Sequence, residues 1–255
     1  MTPARAAAPA SRAWGGLVAA GVVAATAVML ALGVWQLDRL GQRRAENALI
    51  VGRLAQTPLD LNAAPAVSLP PYTPVRVTGS FDFDNEIALR NRAHLDSPGV
   101  HVLTPLRLAG SDVAVLVDRG WIPYTEAEPV ARAAYHQPAG EVVITGLAQP
   151  SQVRAAAFLP ADPTPGPGRP RLDAWYWVNL DQIAQQLPYS LLPFFIEADS
   201  DGDSGTLPIA GSTVDLSDGP HLSYAIQWFA FALILAVGSL ALWRQRRRAA
   251  PTDRR

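Results

Sequence analysis

The sequence predicts an α+β membrane protein in which two transmembrane helices flank an antiparallel β-barrel or sandwich-like domain with short helices. Uncharged apolar runs lie near both ends of the chain. Each is about as long as an α-helix needs to cross a hydrocarbon core of about 30 Å. Between these runs, apolar and polar residues alternate with the period of two that is typical of β-strands. The chain therefore divides into a membrane part and a β-rich part.

The first apolar run, from Trp14 to Leu37, has 24 residues without a charged side chain. A leader of residues 1–13 precedes it and contains Arg5 and Arg12. A signal peptide is the alternative interpretation, because Ala31-Leu32-Gly33 has small residues at the spacing of a cleavage site. The apolar cores of signal peptides are roughly 7 to 15 residues long, which is shorter than this run. We therefore expect a retained membrane anchor at residues 14–37.

The second predicted span covers residues 221–243 and indicates the orientation of the chain. Six arginines follow it within the tail of residues 244–255, whereas residues 201–220 contain four aspartates and no lysine or arginine. Basic residues are enriched on the cytoplasmic side of membrane proteins. We therefore expect both termini in the cytoplasm and the domain between the spans on the outer side of a bacterial inner membrane.

The composition excludes several classes of function. The formal net charge is −1, so nucleic acid is not an expected partner. The chain has no cysteine, which excludes disulfides, thiolate metal sites and cysteine nucleophiles. All 21 basic residues are arginine, which excludes catalytic lysines and is typical of a GC-rich bacterial genome. No serine lies in a Gly-x-Ser-x-Gly context, and a periplasmic hydrolase lacks an identifiable site, so we expect no enzyme.

The middle of the chain predicts six or seven short strands. Residues 38–74 are expected to continue the first helix as far as Pro58 and then to form a proline-rich linker. Within residues 75–220, an antiparallel meander is predicted, followed by further strands and by a short helix from Asp181 to Leu187. The meander segments are VRVTGSF, EIALRNRAH, VHVLTPLRLA and VAVLVDRGWI. The pattern is compatible with either a barrel or a sandwich.

The candidate binding residues lie where both predicted spans reach the outer side of the membrane. They are His221, Tyr224, Trp228, Trp35, Gln36 and Arg39. The first three follow one another at i, i+3 and i+7, so they share one helix face. The other three reach the same level because the two spans run antiparallel, and Gly33 allows a close approach.

This residue set suits haem. The imidazole of His221 would bind the iron, the aromatic rings would pack against the macrocycle, and the arginine would pair with a propionate. The alternative is structural, because tyrosine and tryptophan are enriched at membrane interfaces for their own amphipathic reasons. In that interpretation His221 caps its helix and contacts water.

The β-rich domain contains weaker candidates. His94 and His101 are separated by a Pro-Gly turn and could face each other across a hairpin. No carboxylate at ligand spacing accompanies them, so we interpret them as surface histidines on strands. In the segment Asp118-Arg119-Gly120-Trp121, we expect the aspartate and arginine to pair with each other at a strand end and the tryptophan to lie in the core. Arg119 is also the domain's candidate contact for a partner or ligand.

Four motifs in chain order resemble the surfeit locus family of cytochrome c oxidase assembly factors. They are LGVWQLDRL at Leu32–Leu40, RNR at Arg90–Arg92 followed by LTPL at Leu103–Leu106, DRGWIP at Asp118–Pro123 and HLSYAIQWF at His221–Phe229. The resemblance covers nearly the whole chain and includes the two-span topology. The chain departs from the family at Gly41-Gln42, where Trp-Lys is usual.

The resemblance implies a role in assembly rather than catalysis. It implies that the chain binds haem a, with His221 as the axial ligand, and aids insertion of the haem into the catalytic subunit of a haem-copper oxidase. The implied partners are that subunit and, as a second candidate, haem a synthase, within the lipid bilayer. The alternative is a scaffold without haem that stabilises the oxidase subunit during assembly, in which His221 lies at the interface.

Overall fold

A computed structural model describes residues 10–63, 68–137, 140–163, 171–200, 206–211 and 214–249. They belong to two compact units, a helical unit of Met1–Ala48 with Leu216–Arg255 and a β-rich unit of Leu49–Asp215. Part of the predicted leader (residues 1–9), part of the arginine-rich tail (residues 250–255) and the aspartates at 201 and 203 lie outside the described residues.

The secondary structure follows the predicted order of a helix, a β-rich region and a helix. The elements are α1 (Ala10–Leu54), β1 (Leu59–Asp60), β2 (Thr73–Phe81), β3 (Ile87–His94), β4 (Ser97–Leu108), β5 (Val113–Pro123), α2 (Pro129–Arg132), β6 (Val142–Pro150), β7 (Ala174–Trp175), α3 (Leu180–Ala184), β8 (Ser190–Ala198) and α4 (His221–Ala249). Short 3-10 turns at residues 83–85, 124–126 and 133–135 complete the set.

The two long helices have the length and composition that a membrane span requires. The apolar stretches lie within Trp14–Leu54 and His221–Arg248. Only 6% and 11% of their most apolar windows are buried, whereas the core helix of a soluble domain would be mostly buried. Both helices therefore expose apolar side chains, which is the arrangement that contact with lipid would stabilise.

Small residues let α1 and α4 approach each other. Ala225 and Ala232 are the buried positions among residues 221–248 of α4 and lie two turns apart on one face. On α1, a Cβ at Gly33 would lie 2.6 Å from the ring of Phe229. Small residues at such contacts are typical of helix pairs in membranes.

Five strands of the β-rich unit close into a barrel. Their order is β2-β6-β8-β5-β4, and β2 pairs again with β4 through Gly79–Phe81 and Leu106–Leu108. The long strand β4 makes this closure possible, because its first half pairs with β3 and its last residues pair with β2. The structure therefore selects the barrel from the two predicted alternatives.

The predicted meander is confirmed for β3, β4 and β5, which pair antiparallel in chain order. The prediction of a wholly antiparallel sheet is wrong, because β8 runs parallel to β5 and the two-residue strands β1 and β7 run parallel to β2 and β3. Parallel neighbours need a long crossover connection. Residues 124–189, between β5 and β8, provide one.

Apolar side chains are buried on both faces of the central strands. Val115 and Val117 of β5 point into one cluster with residues of β2 and β8. Leu116, between them, packs in a second cluster with Trp175 and with Ile183 of α3. Alternate residues of β5 are thus buried on opposite faces, which explains why its sequence is almost continuously apolar.

Candidate functional site

His221 is the first residue of α4, and its imidazole forms a hydrogen bond with Gln36 of α1. The distance from His221 Nδ1 to Gln36 Oε1 is 2.9 Å. An amide oxygen only accepts hydrogen bonds, so Nδ1 is the donor, and in the neutral imidazole this leaves the lone pair on Nε2. A hydrogen bond of this kind on one ring nitrogen is what orients a histidine whose other nitrogen binds a metal.

Gly219 leaves space beside the second nitrogen of the imidazole. Its φ is +65°, in the left-handed region that favours glycine. A Cβ at this position would lie 3.7 Å from His221 Nε2 and 3.6 Å from Cδ2. Any larger residue at 219 would therefore contact the ring edge that a ligand would approach.

The segment before α4 is attached to α1 by polar contacts that the sequence analysis did not identify. Arg44 Nη2 lies 2.7 Å from Asp218 Oδ2, and Asn47 Nδ2 donates to the carbonyl oxygen of Leu216 at 2.7 Å. The hydrogen bond from Arg44 lowers the pKa of the Asp218 carboxyl. The feature of the sequence that indicates these contacts is the polar run RRAEN, which continues the buried face of α1 along the helix. These contacts fix the chain immediately before His221.

The other predicted site residues are more exposed. Trp35 and Tyr224 are 49% and 45% exposed. The Arg39 guanidinium lies 5.7 Å from the centre of the Trp35 ring, and the Trp228 ring packs edge-to-face against Phe231. The structure thus brings His221 together with Gln36 and Trp35 together with Arg39, and it leaves Trp35 and Tyr224 about half exposed.

These exposed groups border one side of the helix pair. Arg39 is the i+3 residue of Gln36, and Tyr224 is the i+3 residue of His221. The contacts of Gln36 with His221 and of Gly33 with Phe229 show that α1 and α4 run antiparallel. When two right-handed helices run antiparallel and one residue of each faces the other, the residues three positions further along each helix point to the same side of the pair. The guanidinium and the rings therefore flank the His221 imidazole on that side.

A buried carboxylate in the β-rich unit, Glu86, was missed by sequence reasoning. Its side chain is 3% exposed and accepts hydrogen bonds from Thr104 Oγ1 at 2.8 Å and from Arg119 Nη1 at 3.1 Å. Arg132 Nε and His136 Nε2 lie 3.3 Å and 3.5 Å from its second oxygen. Burial lowers the pKa of both guanidiniums, because desolvation disfavours their charged form. Glu86 is therefore the centre of a buried ionic cluster.

The prediction that Asp118 and Arg119 pair with each other is wrong. Successive side chains on a strand point to opposite faces of the sheet. Asp118 Oδ2 lies 2.8 Å from His101 Nδ1, whereas Arg119 pairs with Glu86 on the other face. The prediction that Trp121 lies in the core is confirmed, since this residue is 7% exposed.

The two histidines of the β3–β4 hairpin do not face each other. In the strand register, His94 is opposite Ser97 and His101 is opposite Leu89. His94 packs against the ring of Trp121, and His101 is held by Asp118 with 28% of its side chain exposed. His101 is therefore half-buried and bound to a carboxylate, which corrects its interpretation as a surface residue. Within the described ranges, no group of three or more His, Asp or Glu residues is placed to hold a metal ion.

Comparison with known proteins identifies relatives over almost the whole chain. A family model described as the SURF1 family matches residues 23–233. The chain is 32% identical over 248 residues to a SURF1-like protein of Monosiga brevicollis, covering 92% of this chain and 89% of that protein. It is 28% identical to Surfeit locus protein 1 of Rattus norvegicus, with 85% and 71% covered. It is 27% identical to a SURF1-like protein of Rickettsia felis, with 82% and 89% covered.

Proposed function

The chain belongs to the SURF1 family, and from this premise we propose that it is a membrane-anchored assembly factor for a haem-copper cytochrome c oxidase. In this proposal it binds haem a beside His221 and aids insertion of the haem into the catalytic subunit of the oxidase. Haem is the cargo of such a protein and not a resident cofactor.

The observation that supports the haem site best is the position of the His221 imidazole. Its Nδ1 is hydrogen-bonded to Gln36, which in the neutral ring leaves the lone pair on Nε2, beside the space that Gly219 provides. A neutral imidazole with one anchored nitrogen is the usual protein ligand of haem iron. The residues present therefore fit the group, and Nε2 is the atom that would bind the iron.

The neighbouring side chains suit the rest of the macrocycle. In the proposal, the exposed rings of Trp35 and Tyr224 pack against its apolar faces, and Arg39 pairs with a propionate. Trp228 completes the apolar surroundings on α4. A single axial histidine on an open side of the helix pair suits a site from which haem must leave again.

We further propose that α1 and α4 span the bacterial inner membrane with both termini in the cytoplasm. The distribution of arginine supports this orientation, because the basic tail follows α4 and residues 201–220 contain no basic residue. The β-rich unit would then lie on the outer side, and His221 would lie at the outer boundary of the apolar region.

The proposal is tested by recovering the protein with its partner from membranes of cells that make haem a. We expect the wild-type chain to co-purify with the oxidase catalytic subunit and to contain haem. The His221→Ala variant should keep the subunit and lose the haem. The His94→Ala variant is the matched control, because His94 lies in the β-rich unit and should leave both unchanged.

The scaffold function gives a different result in the same experiment. A wild-type complex without haem, together with loss of the subunit from the His221→Ala variant, would contradict the haem proposal. It would identify His221 as an interface residue.

A further inference from the structure

A cavity in the β-rich unit, of about 320 Å³, is lined by three arginines. They are Arg90, Arg132 and Arg171. Ala88, Val100 and Leu172 supply apolar wall, and Tyr124 is also part of the lining. The lining also contains Glu128 and Asp173, so this cavity is more polar than the usual site for a small ligand.

A bulge in β3 directs Arg90 to this cavity. The pairing of β3 with β4 shifts register between Leu89 and Arg92, and Asn91 has a φ of +58°. The extra residue places the two arginines of the RNR motif on opposite faces of the sheet. Arg90 lines the cavity with Ala88, whereas Arg92 is influenced by the charges of Asp118 and Glu197.

The charges around the cavity do not balance. The guanidiniums are those of Arg90, Arg132 and Arg171 in the lining and Arg119 behind it. The carboxylates are those of Glu128 and Asp173 in the lining and Glu86 behind it. Among the described residues of the lining and of the Glu86 cluster, this leaves one positive charge in excess. Arg132 is buried and shares the Glu86 carboxylate with Arg119, so a bound negative charge beside Arg132 would be stabilising.

Two of the guanidiniums also have a nitrogen that makes no hydrogen bond within the described part of the chain. These nitrogens are the buried Nε atoms of Arg132 and Arg171. Each lies 3.3 Å from a carboxylate oxygen, of Glu86 and Asp173 respectively, which is an ion pair without hydrogen-bond geometry. The side chain of Arg132 is only 3% exposed. Buried donors without an acceptor are rare and call for an explanation.

We propose that this cavity binds a small oxyanion, a carboxylate or a phosphate group, with Arg90 and Arg132 as its charged contacts. Arginine forms strong charge-assisted hydrogen bonds with both groups. Arg90 is exposed and lies 5.8 Å above the ring of Tyr176, so it reaches the ligand from the open side. The site lies wholly within the β-rich unit and is independent of the haem proposal.

Isothermal titration of the full chain in detergent tests the site. Inorganic phosphate and acetate are titrated separately at constant ionic strength, which identifies the favoured oxyanion. We expect saturable binding of at least one of them, about tenfold weaker in the Arg90→Gln variant. The Arg107→Gln variant is the matched control, because Arg107 is also an exposed strand arginine above a tyrosine ring but does not line the cavity.

A second variant distinguishes a loss of anion binding from a loss of folding. Arg90→Lys retains the positive charge and should bind more tightly than Arg90→Gln. Melting curves without ligand should be alike for both variants and the wild type. The proposal is overturned if neither anion binds saturably. It is equally overturned if the Arg90→Gln variant binds as tightly as the Arg107→Gln variant, because the ion would then be bound elsewhere or nonspecifically.

Discussion

At the scale of single residues, Glu86 forms ion pairs with two guanidiniums that the fold has removed from water. The Glu86→Gln variant would leave Arg119 and Arg132 buried without the one carboxylate that contacts both of them. Breaking a buried ion pair on one side costs about 3 to 5 kcal/mol. We therefore expect a loss of that size in the free energy of unfolding, measured by urea denaturation in detergent.

The control for this measurement is Glu141→Gln, because Glu141 is exposed. Its free energy of unfolding should stay within about 0.5 kcal/mol of the wild type. Equal stability of the two variants would show that the Glu86 cluster contributes nothing to the fold.

Tyr189 and Asp82 make a half-buried contact, and its effect depends on pH. Tyr189 Oη donates to Asp82 Oδ2 at 2.6 Å. Burial, and next this bond, raise the pKa of the tyrosine. Burial alone would raise the pKa of Asp82, but the hydrogen bonds from Tyr189 and Asn85 outweigh it and lower that pKa. Asp82 therefore stabilises the fold above its unfolded pKa of about 3.9, and this contribution is lost as the pH falls through the lower folded value.

The Tyr189→Phe variant tests this contact. We expect it to lose about 1.5 kcal/mol of unfolding free energy at pH 7, and less at about pH 3, which is below the unfolded pKa of Asp82 of about 3.9. Urea denaturation at both pH values measures the difference. Tyr124→Phe is the control, because Tyr124 is 63% exposed. A loss at Tyr189 that is the same at both pH values would contradict the assignment.

The residue-level contacts were only partly predictable from the sequence. The opposite directions of Asp118 and Arg119 follow from strand alternation, and the pairing prediction failed because it ignored that alternation. The partners of Glu86 could not be predicted, since Arg119 and His136 lie 33 and 50 positions away and meet it only in the folded barrel. The bulge at Asn91 likewise depends on the partner strand.

At the scale of elements, the contact of α1 with α4 depends on Gly33. A Cβ there would lie 2.6 to 2.9 Å from three atoms of the Phe229 ring, so one of the helices or the ring would have to move. Alanine is otherwise favoured over glycine in a helix by about 1 kcal/mol. We expect Gly33→Ala to lower the thermal unfolding midpoint in detergent.

Gly41→Ala is the matched control for this helix, because nothing lies within 4 Å of a Cβ at Gly41. That variant should have an unchanged or higher midpoint. If Gly33→Ala also raises the midpoint, the close approach of the helices is not important for stability.

The elements themselves were more predictable than their pairing. The apolar runs predicted both long helices because length and hydrophobicity are local properties of the chain. The meander of β3, β4 and β5 was predictable because short turns join adjacent strands. The parallel position of β8 beside β5 was not, because it depends on the path of residues 124–189 and on the closure of β2 onto β4.

At the scale of the whole molecule, the proposed topology can be tested directly because the chain has no cysteine. A single cysteine introduced by Ser80→Cys in the β-rich unit should react with a membrane-impermeant maleimide in cells whose outer membrane has been permeabilised. A cysteine introduced by Ser11→Cys in the leader should react only after the inner membrane is broken. The reverse pattern of labelling would show that the chain has the opposite orientation in the membrane.

The central claim is that His221 binds haem at the helix pair. The most direct test is the visible absorption spectrum of the purified full chain from cells that make haem a, beside the His221→Ala and His94→Ala variants. We predict a haem band in the wild type and in His94→Ala, and its loss in His221→Ala. Absence of the band from all three proteins, or its persistence in His221→Ala, would contradict the claim.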